Sequence, residues 1–339
     1  MRILFKLLAI VVVLGAIAAG FGYVAVTNGM FEIPMVEMKA KWALPNSKYL
    51  DVDGIQVHYA EDGDKNLPTL VLIHASFMNL RSWDQLTKDL SSQFHIVRFD
   101  LLTFGLTGPD PKNDYSTERN LLIVDTLTKH LGIEKFYLLG TSSGGPVAYR
   151  YAAEHPDRVE RLVLINCAGM PRTEFNDPNR ARGNSIEQWI NARYKSREYW
   201  RNNLTQNYGS VKPSDAIVDL VYDNNRRKGD LPTTRSRTRN YHPEEPKQTL
   251  AETLAMITSP TMITWGMTNP TVMHLEADVF SLWLSNAPSL VKKYPKVGHY
   301  YYLEIPEQSA KDIAGFLKGD MDADLRITKR LPVTQAAVQ

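Results

Sequence analysis

One serine of this chain stands in a strand–turn–helix pattern that indicates nucleophilic chemistry. The apolar run Phe136–Leu139 predicts a strand buried on both faces, and Pro146–His155 predicts the helix that follows it. Between them lies Gly140-Thr141-Ser142-Ser143-Gly144, in which Ser142 has a glycine two residues before and two residues after it. Glycines let the chain reverse sharply, and such a turn exposes its middle serine. We therefore predict Ser142, rather than Ser143, as the nucleophile.

Strand-like and helix-like segments alternate on both sides of that turn. The strands are predicted at Tyr49–Val52, Ile55–Ala60, Thr69–Ile73, His95–Phe99, Leu162–Ile165, Thr261–Trp265 and Ser289–Tyr294. Helices are expected from Ser82, over Thr117–Leu131, up to about Leu284 and over Pro306–Leu317. This alternation predicts a parallel sheet with helices on both faces. Residues 171–249 interrupt it with polar, arginine-rich sequence and helical stretches at Ile186–Trp200 and Asp215–Tyr222, which predicts an inserted helical cap.

Composition excludes several other classes of function. The chain has 339 residues, with 39 lysines and arginines against 37 aspartates and glutamates, so its overall charge does not favour nucleic acid as a partner. The single cysteine, Cys167, excludes an intramolecular disulfide and a multi-cysteine metal site, and its position after a buried strand indicates an inert core thiol. No phosphate loop, dinucleotide fingerprint or metal-ligand cluster is present, so we expect chemistry without a cofactor or metal.

The amino-terminal segment is long and apolar enough to cross a membrane. Leu7 to Val26 carries no charge, and a helix of that length spans about 30 Å, the hydrocarbon thickness of a bilayer. A cleavable signal peptide with a site at Ala16-Ile17-Ala18 is the alternative, but the apolar run continues past it. We predict an uncleaved signal anchor whose basic amino terminus lies in the cytoplasm, which leaves the body on the extracytoplasmic (periplasmic or extracellular) side.

Over about residues 47 to 318 the chain resembles the α/β-hydrolase superfamily, and within it the membrane-anchored bacterial serine hydrolases of esterase or lipase type that carry a helical cap. The resemblance rests on the order and spacing of short motifs: His74, Asp100 with Phe104-Gly105-Leu106-Thr107-Gly108-Pro109, the Ser142 turn, Glu154-His155-Pro156-Asp157-Arg158-Val159, Trp265-Gly266 and Gly298-His299. It implies an α/β-hydrolase fold, with a mostly parallel eight-stranded sheet and an inserted cap. It also implies hydrolysis through a covalent acyl-enzyme.

The resemblance further implies the residues that assist the serine. A serine hydroxyl is a weak nucleophile and needs a base, and His299 follows the last strand, where the family places that base. The backbone N–H groups of Ser76 and Ser143 correspond to the oxyanion hole. His74, at a strand end, is expected to order the oxyanion loop through hydrogen bonds.

The acid of the triad is where this sequence departs from the family. After the Trp265-Gly266 strand the family has Gly-x-x-Asp, whereas this chain has Asn269 at the acid position, and the stretch Asn166–Gly169 after the preceding strand also lacks a carboxylate. Three accounts remain open. A weakened Ser142–His299–Asn269 set still works, Glu276 or Asp278 supplies the carboxylate, or the body no longer hydrolyses anything. Ala75 and Leu102-Thr103 also replace glycine-containing motifs beside the site.

Two features of the cap bear on the substrate. Trp189, Tyr194, Tyr199 and Trp200 have the spacing either of an apolar acyl pocket or of the core of the cap. The basic residues Arg226, Arg227, Lys228, Arg235, Arg237 and Arg239 form either a solvated face or a surface for anionic head groups or an anionic substrate.

The sequence therefore predicts a membrane-anchored serine hydrolase acting on a small-molecule ester or related acyl compound, with the lipid bilayer as partner of its first helix. A catalytically weak or inactive binding protein of the same fold is the alternative. A carbon–carbon bond hydrolase is less favoured, and an epoxide-type enzyme would need aspartate at position 142. The predicted units are an anchor (1–28), a juxtamembrane linker (29–46), the hydrolase core (47–170 and 250–318), the cap (171–249) and a polar tail (319–339).

Replacing the predicted nucleophile provides the first test. Ser142→Ala should abolish cleavage of p-nitrophenyl esters without unfolding the protein, because the hydroxyl is small and exposed on its turn. The adjacent variant Ser143→Ala is the matched control for the register of the turn. Full turnover in Ser142→Ala together with its loss in Ser143→Ala would show that the register is wrong.

Overall fold

The computed structural model of the protein describes residues 2–102, 104–170, 194–229 and 248–327. Its strands are β1 (Lys48–Val52), β2 (Ile55–Asp62), β3 (Thr69–Ile73), β4 (His95–Phe99), β5 (Phe136–Thr141), β6 (Val159–Ile165), β7 (Thr261–Gly266) and β8 (Ser289–Tyr294). The helices are α1 (Arg2–Thr27), α2 (Met35–Trp42), α3 (Asp84–Leu90), α4 (Thr117–His130), α5 (Gly144–Glu154), α6 (Arg197–Asn207), α7 (Asp215–Asn224), α8 (Leu250–Met256), α9 (Glu276–Trp283), α10 (Tyr301–Glu304) and α11 (Pro306–Lys318). Short 3₁₀ turns stand at Leu80–Trp83 and Asp322–Asp324.

The eight strands form one sheet in the order β1-β2-β4-β3-β5-β6-β7-β8. β1 and β2 are joined by the predicted tight turn, where Asp53 and Gly54 both have positive φ (52° and 87°). β2 pairs antiparallel with β1 on one side and with β4 on the other. From β4 through β3 to β8 all neighbours are parallel. The prediction of a mostly parallel eight-stranded sheet is confirmed.

Both faces of the central strands are covered. Val71, Ile73 and Leu138 belong to one apolar cluster, whereas Leu72 and Leu139 belong to the other, as expected when successive side chains point to opposite faces. Helices α4, α5, α8 and α9 contribute to the first cluster, and α3, α6, α7 and α11 contribute to the second. Because β3 to β8 are parallel, their carboxyl ends lie at the same edge of the sheet, where the loops that follow them can bring reactive groups together.

The described part of the cap, residues 194–229, contains the helices α6 and α7. Helix α6 begins at Arg197, with the Ser196 hydroxyl accepting a hydrogen bond from the Tyr199 amide at 3.0 Å. The predicted helix through Ile186–Trp200 is therefore wrong at 194–196, because Ser196 makes a favourable N-cap there. The other part of that helix, Trp189, and the arginines 235, 237 and 239 lie outside the described residues.

The segments that flank the core also carry structure. Helix α1 contains an apolar span, Phe5–Ala25, with a mean hydropathy of 2.5, in which Ala25 is buried and almost all other residues are exposed. This suits a membrane-crossing helix or a signal sequence. The segment predicted as a juxtamembrane linker contains α2 and pairs with the cap through Ile33 and Arg227. At the other end, Arg161 donates to Asp322 at 2.7 Å, which places the start of the tail against β6.

The packing around α5 leads to a prediction about stability. A Cβ added at Gly144 would lie 2.5 Å from the carbonyl oxygen of His74, whereas a Cβ at Gly108 would meet nothing within 4 Å. Gly144→Ala should lower the free energy of unfolding by about 1–3 kcal/mol because backbone must move. Gly108→Ala, the matched control, should change it by less than about 0.5 kcal/mol. Thermal unfolding in detergent measures both, and equal stabilities would contradict this account of the packing.

Candidate active site

Ser142 lies at the junction of β5 and α5 in a left-handed backbone conformation, with a φ of 50°. That conformation costs a non-glycine residue about 1–2 kcal/mol, so neighbouring bonds must hold it. The Ser142 amide donates to the Ile165 carbonyl at 2.9 Å, and the Ser142 carbonyl accepts from the amides of Gly145 and Ala168 at 3.0 Å each. The serine is thus fixed at the carboxyl edge of the sheet.

The glycines around Ser142 are required by contact. A Cβ at Gly140 would lie 2.6 Å from the Cβ of Ala148 on α5. A Cβ at Gly145 would collide with the Cys167 sulfur. Burial raises the pKa of the Cys167 thiol well above its ordinary value, so the thiol stays protonated, as expected of a core residue.

The two residues predicted for the oxyanion hole are in direct contact. Ser143 Oγ accepts hydrogen bonds from the Ser76 amide at 2.6 Å and from the Ser76 hydroxyl at 2.8 Å. The Ser76 N–H therefore points toward the turn that carries Ser142, and in this structure its hydrogen bond goes to the Ser143 hydroxyl.

His74 ties the loop that carries Ser76 to the end of β4. Its Nδ1 donates to the Ala75 carbonyl at 2.7 Å, and its Nε2 accepts from the Leu101 amide at 2.9 Å. Burial lowers the pKa of His74, so the imidazole is neutral and able to accept that bond. These bonds agree with the predicted ordering role of His74.

A buried carboxylate holds the neighbouring loops. Asp100 accepts from the amides of Leu80 and Leu106 at 2.7 Å each, and from His58 Nδ1 at 2.7 Å. Burial raises the pKa of Asp100, but the His58 imidazole and these hydrogen bonds outweigh burial, and the net pKa lies below the usual value. His58 Nε2 in turn lies 2.6 Å from the Ser47 hydroxyl, so the chain of contacts reaches the segment before β1.

The structure brings His299 and Asn269 together. His299 Nδ1 lies 3.2 Å from Asn269 Oδ1, and both side chains are buried. The same oxygen accepts from the Thr271 amide at 2.9 Å and from the Val272 amide at 3.3 Å. Two backbone donors hold the carbonyl end of Asn269 in place, because a reversed amide would set its NH₂ against N–H groups. His299 Nδ1 therefore carries the proton, which leaves Nε2 as the basic nitrogen.

The two alternative acids have other partners. Glu276 Oε1 accepts from the Met273 amide at 3.0 Å, at the start of α9. Asp278 lies 2.5 Å from Lys293 Nζ on the surface. Of the three candidates for the acid position, Asn269, Glu276 and Asp278, it is Asn269 whose side chain lies against the His299 ring. Among the described residues there is also no group of three or more His, Cys, Asp or Glu side chains arranged to hold a metal ion.

Sequence reasoning missed two residues that position His299. Glu304, on α10, accepts from the amides of Gly298 and Tyr300 and from the cap amide of Gly209, at 2.7–3.3 Å. Asn166 donates to the His299 carbonyl at 2.8 Å and accepts from the Gly266 amide at 2.9 Å. The position of Asn166 directly after a core strand was a usable signal for its role, whereas no motif indicates Glu304.

The comparison with known families agrees with this geometry. A family described as "alpha/beta hydrolase fold" matches residues 68–306. The chain belongs to the α/β-hydrolase family. Epoxide hydrolase 3 of Xenopus tropicalis is 33% identical over 114 residues, which are 33% of this chain and 31% of that protein, so the chain spans about a third of that relative.

Solved structures of this family share the fold over most of the chain. A membrane phospholipase A, described as a bacterial virulence factor, matches with a TM-score of 0.65 and 23% identity over 94% of this chain and 98% of its own. A serine hydrolase involved in carbazole degradation matches with a TM-score of 0.66 and 20% identity over 80% of this chain and 98% of its own. At these identities the likeness shows the fold alone.

The carboxylate under the histidine loop leads to a prediction. Glu304→Gln replaces one acceptor oxygen by an NH₂ group that faces backbone N–H groups, so it should lower stability by about 1–3 kcal/mol. It should also lower ester turnover, because the loop of Gly298 and His299 loses its support. Glu307→Gln, an exposed change three residues away, is the control. Unchanged thermal unfolding and turnover in Glu304→Gln would contradict the positioning role.

Proposed function

We propose that this chain is a serine hydrolase that cleaves a carboxylic ester or related acyl bond through an acyl-enzyme on Ser142. The observation that carries the proposal is the strained turn, which sets a serine of positive φ at the carboxyl edge of the sheet. Backbone strain of this kind persists where the surroundings hold it and is concentrated at functional sites.

The proposed reaction uses residues already described. Ser142 Oγ attacks the carbonyl carbon while His299 Nε2 accepts its proton, and the carbonyl oxygen becomes an oxyanion stabilised by the amides of Ser76 and Ser143. The Ser143 hydroxyl must first leave the Ser76 amide. His299 then returns the proton to the leaving alcohol, and the same steps with water release the acid and restore Ser142.

Asn269 would orient His299 without neutralising it. The bond from Nδ1 to Oδ1 selects the tautomer in which Nε2 is basic, and the Thr271 and Val272 amides fix that choice. The wrong tautomer is what makes an asparagine in this role so damaging elsewhere, with a loss of about 10⁴ in turnover. Here the tautomer is correct, and only the stabilising charge on the imidazolium is lost. We therefore expect a working but slowed triad.

The residue type at position 142 argues against the activity of an epoxide hydrolase. An epoxide hydrolase uses an aspartate nucleophile, whereas this chain has serine on the turn. The relative named epoxide hydrolase 3 shares only about a third of its length with this chain.

A binding protein without turnover is the second candidate. It is favoured by the neutral Asn269 and by the Ser143 hydroxyl on the Ser76 amide. A fluorophosphonate probe distinguishes the two candidates, because covalent labelling requires an activated Ser142.

The proposal includes attachment to a bilayer by the first helix. Phe5–Ala25 has the length and hydropathy of a membrane span, and apart from Ala25 almost none of it is covered by the protein. The basic residues before it favour an amino terminus in the cytoplasm, with the catalytic body on the other side of the membrane.

Asn269→Asp should raise turnover at least about tenfold, well inside the roughly 10⁴ difference between aspartate and asparagine in this role. The new carboxylate would stabilise the imidazolium that forms as Ser142 loses its proton. Initial rates on p-nitrophenyl esters measure the effect, and Asn269→Ala should lower activity only modestly.

Asn202→Asp, the same change of charge on an exposed position of α6, is the control and should leave turnover unchanged. The acid has moved if Glu276→Gln or Asp278→Asn silences the enzyme while Asn269→Asp has no effect. Absence of turnover and probe labelling in every variant, including Asn269→Asp, would favour the binding protein.

A further inference from the structure

The body is held close to the end of its first helix. Helix α1 ends at Thr27, and the Ile33 amide already donates to the Arg226 carbonyl at 2.6 Å. The Lys228 amide donates back to the Ile33 carbonyl at 2.8 Å. Residues 28–32 alone make the connection, and a segment of that length spans at most about 20 Å even when fully extended.

Helix α2 adds a second attachment of this segment to the cap. Lys41 Nζ and Trp42 Nε1 both donate to the Asp223 carboxylate on α7, at 2.5 and 3.1 Å. Asp223 is buried. The segment after the first helix is thus bound to the cap at two places, at Ile33 and at the end of α2.

The part of the cap that binds Ile33 also holds the oxyanion loop. We call Asn224–Lys228 the cap turn. Asn224 Nδ2 donates to the carbonyls of Phe77 and Met78 at 3.0 and 2.9 Å, and Asn225 Nδ2 donates to Phe77 at 3.3 Å. Arg227, buried rather than solvated, donates to the Gly105 and Thr107 carbonyls. The cap turn therefore connects the anchor to the residue next to Ser76.

The surface around this connection combines apolar side chains with a cation. Met30, Val36 and Phe77 are 60%, 74% and 38% exposed. Phe77 packs on Trp200 with ring centroids 5.2 Å apart, and Lys195 Nζ lies 5.1 Å from the Trp200 ring. Apolar and aromatic groups beside lysine are typical of surfaces that meet a membrane interface with anionic head groups.

From this geometry we infer that the substrate is an acyl ester of a lipid in the same bilayer that anchors the protein, and that it reaches Ser142 past Phe77. The inference rests on the proposed hydrolase function and adds the class and source of its substrate. A soluble ester could reach the site from water, and its cleavage would not depend on how the anchor is joined to the body.

The first test uses the unaltered protein. Full-length chain is reconstituted in phosphatidylcholine vesicles that contain a fluorogenic phosphatidylglycerol ester, and in parallel the ester is placed only in separate, protein-free vesicles. Hydrolysis should be at least about tenfold faster when protein and ester share a bilayer, because the tether raises their effective concentration. Equal rates in the two arrangements would overturn the inference. p-Nitrophenyl butyrate, measured on the same samples, reports the hydrolase activity itself.

The second test separates the body from the membrane without touching the site. A Gly/Ser linker of about twenty residues, with a mean length of about 25 Å, is inserted between Thr27 and Asn28. Hydrolysis of the lipid ester in the shared bilayer should fall about tenfold while p-nitrophenyl butyrate is cleaved at an unchanged rate. The same linker appended after Gln339 is the matched control and should change neither rate.

The outcomes keep the two proposals apart. Cleavage of the soluble ester with no cleavage of the bilayer ester would overturn this inference and leave the hydrolase function standing. No cleavage of either ester by the unaltered protein would overturn the hydrolase function and this inference with it. An unchanged rate on the bilayer ester after linker insertion would show that the position of the anchor is irrelevant to the substrate. If the inserted linker lowers the rates on both esters, the first test decides: faster hydrolysis in a shared bilayer supports the inference, and equal rates in shared and separate vesicles overturn it.

Discussion

The left-handed backbone at Ser142 is the constraint on which the site depends. A serine pays about 1–2 kcal/mol for that conformation, and three backbone hydrogen bonds to β6, α5 and the following loop maintain it. The close approach of α5 explains why Gly140 and Gly144 admit no side chain. Ser143, the residue after this serine, lies against the loop of Ser76, whose amide donates to Ser143 Oγ at 2.6 Å.

A triad acid contributes both orientation and charge, and in the proposed triad Asn269 supplies only the orientation. Asn269 Oδ1 receives two backbone N–H groups and faces His299 Nδ1, so it supplies the geometry of an aspartate. Its Nδ2 is buried without a hydrogen-bond partner among the described residues, where an aspartate would carry its second oxygen. The loop therefore holds Asn269 in a conformation that would suit an aspartate, with an uncharged NH₂ group in place of the second carboxylate oxygen. A buried amide costs less to desolvate than a carboxylate, but the unpartnered Nδ2 of Asn269 removes part of that advantage.

Local sequence predicted the strands far better than the supports of the site. Thr69–Ile73, His95–Phe99 and Ser289–Tyr294 coincide with the observed strands, because short apolar or β-branched runs between turns leave little freedom. The turn at Ser142 also follows from a local pattern, and the structure shows its strand and helix as β5 and α5, whereas the role of Ser142 stays a prediction. Glu304 and the cap turn depend instead on contacts between residues far apart in the chain. No periodicity records such contacts, and a buried glutamate that binds backbone amides looks in sequence like any surface glutamate.

The loop of residues 75–77, which carries the predicted oxyanion-hole residue Ser76, is held by the cap through hydrogen bonds. Phe77 has a φ of 68°, a strained value for an aromatic residue, and Ala75 occupies a position where the family usually has glycine. Such a loop needs support from outside itself, and the Asn224 and Asn225 amides supply it at the Phe77 carbonyl. Asn224 also accepts from the Gly105 amide at 2.6 Å, so one side chain joins both loops beside the nucleophile. Ile33 pairs with the same cap turn, so hydrogen bonds of neighbouring residues join the segment after the first helix to the Phe77 carbonyl, one position from Ser76.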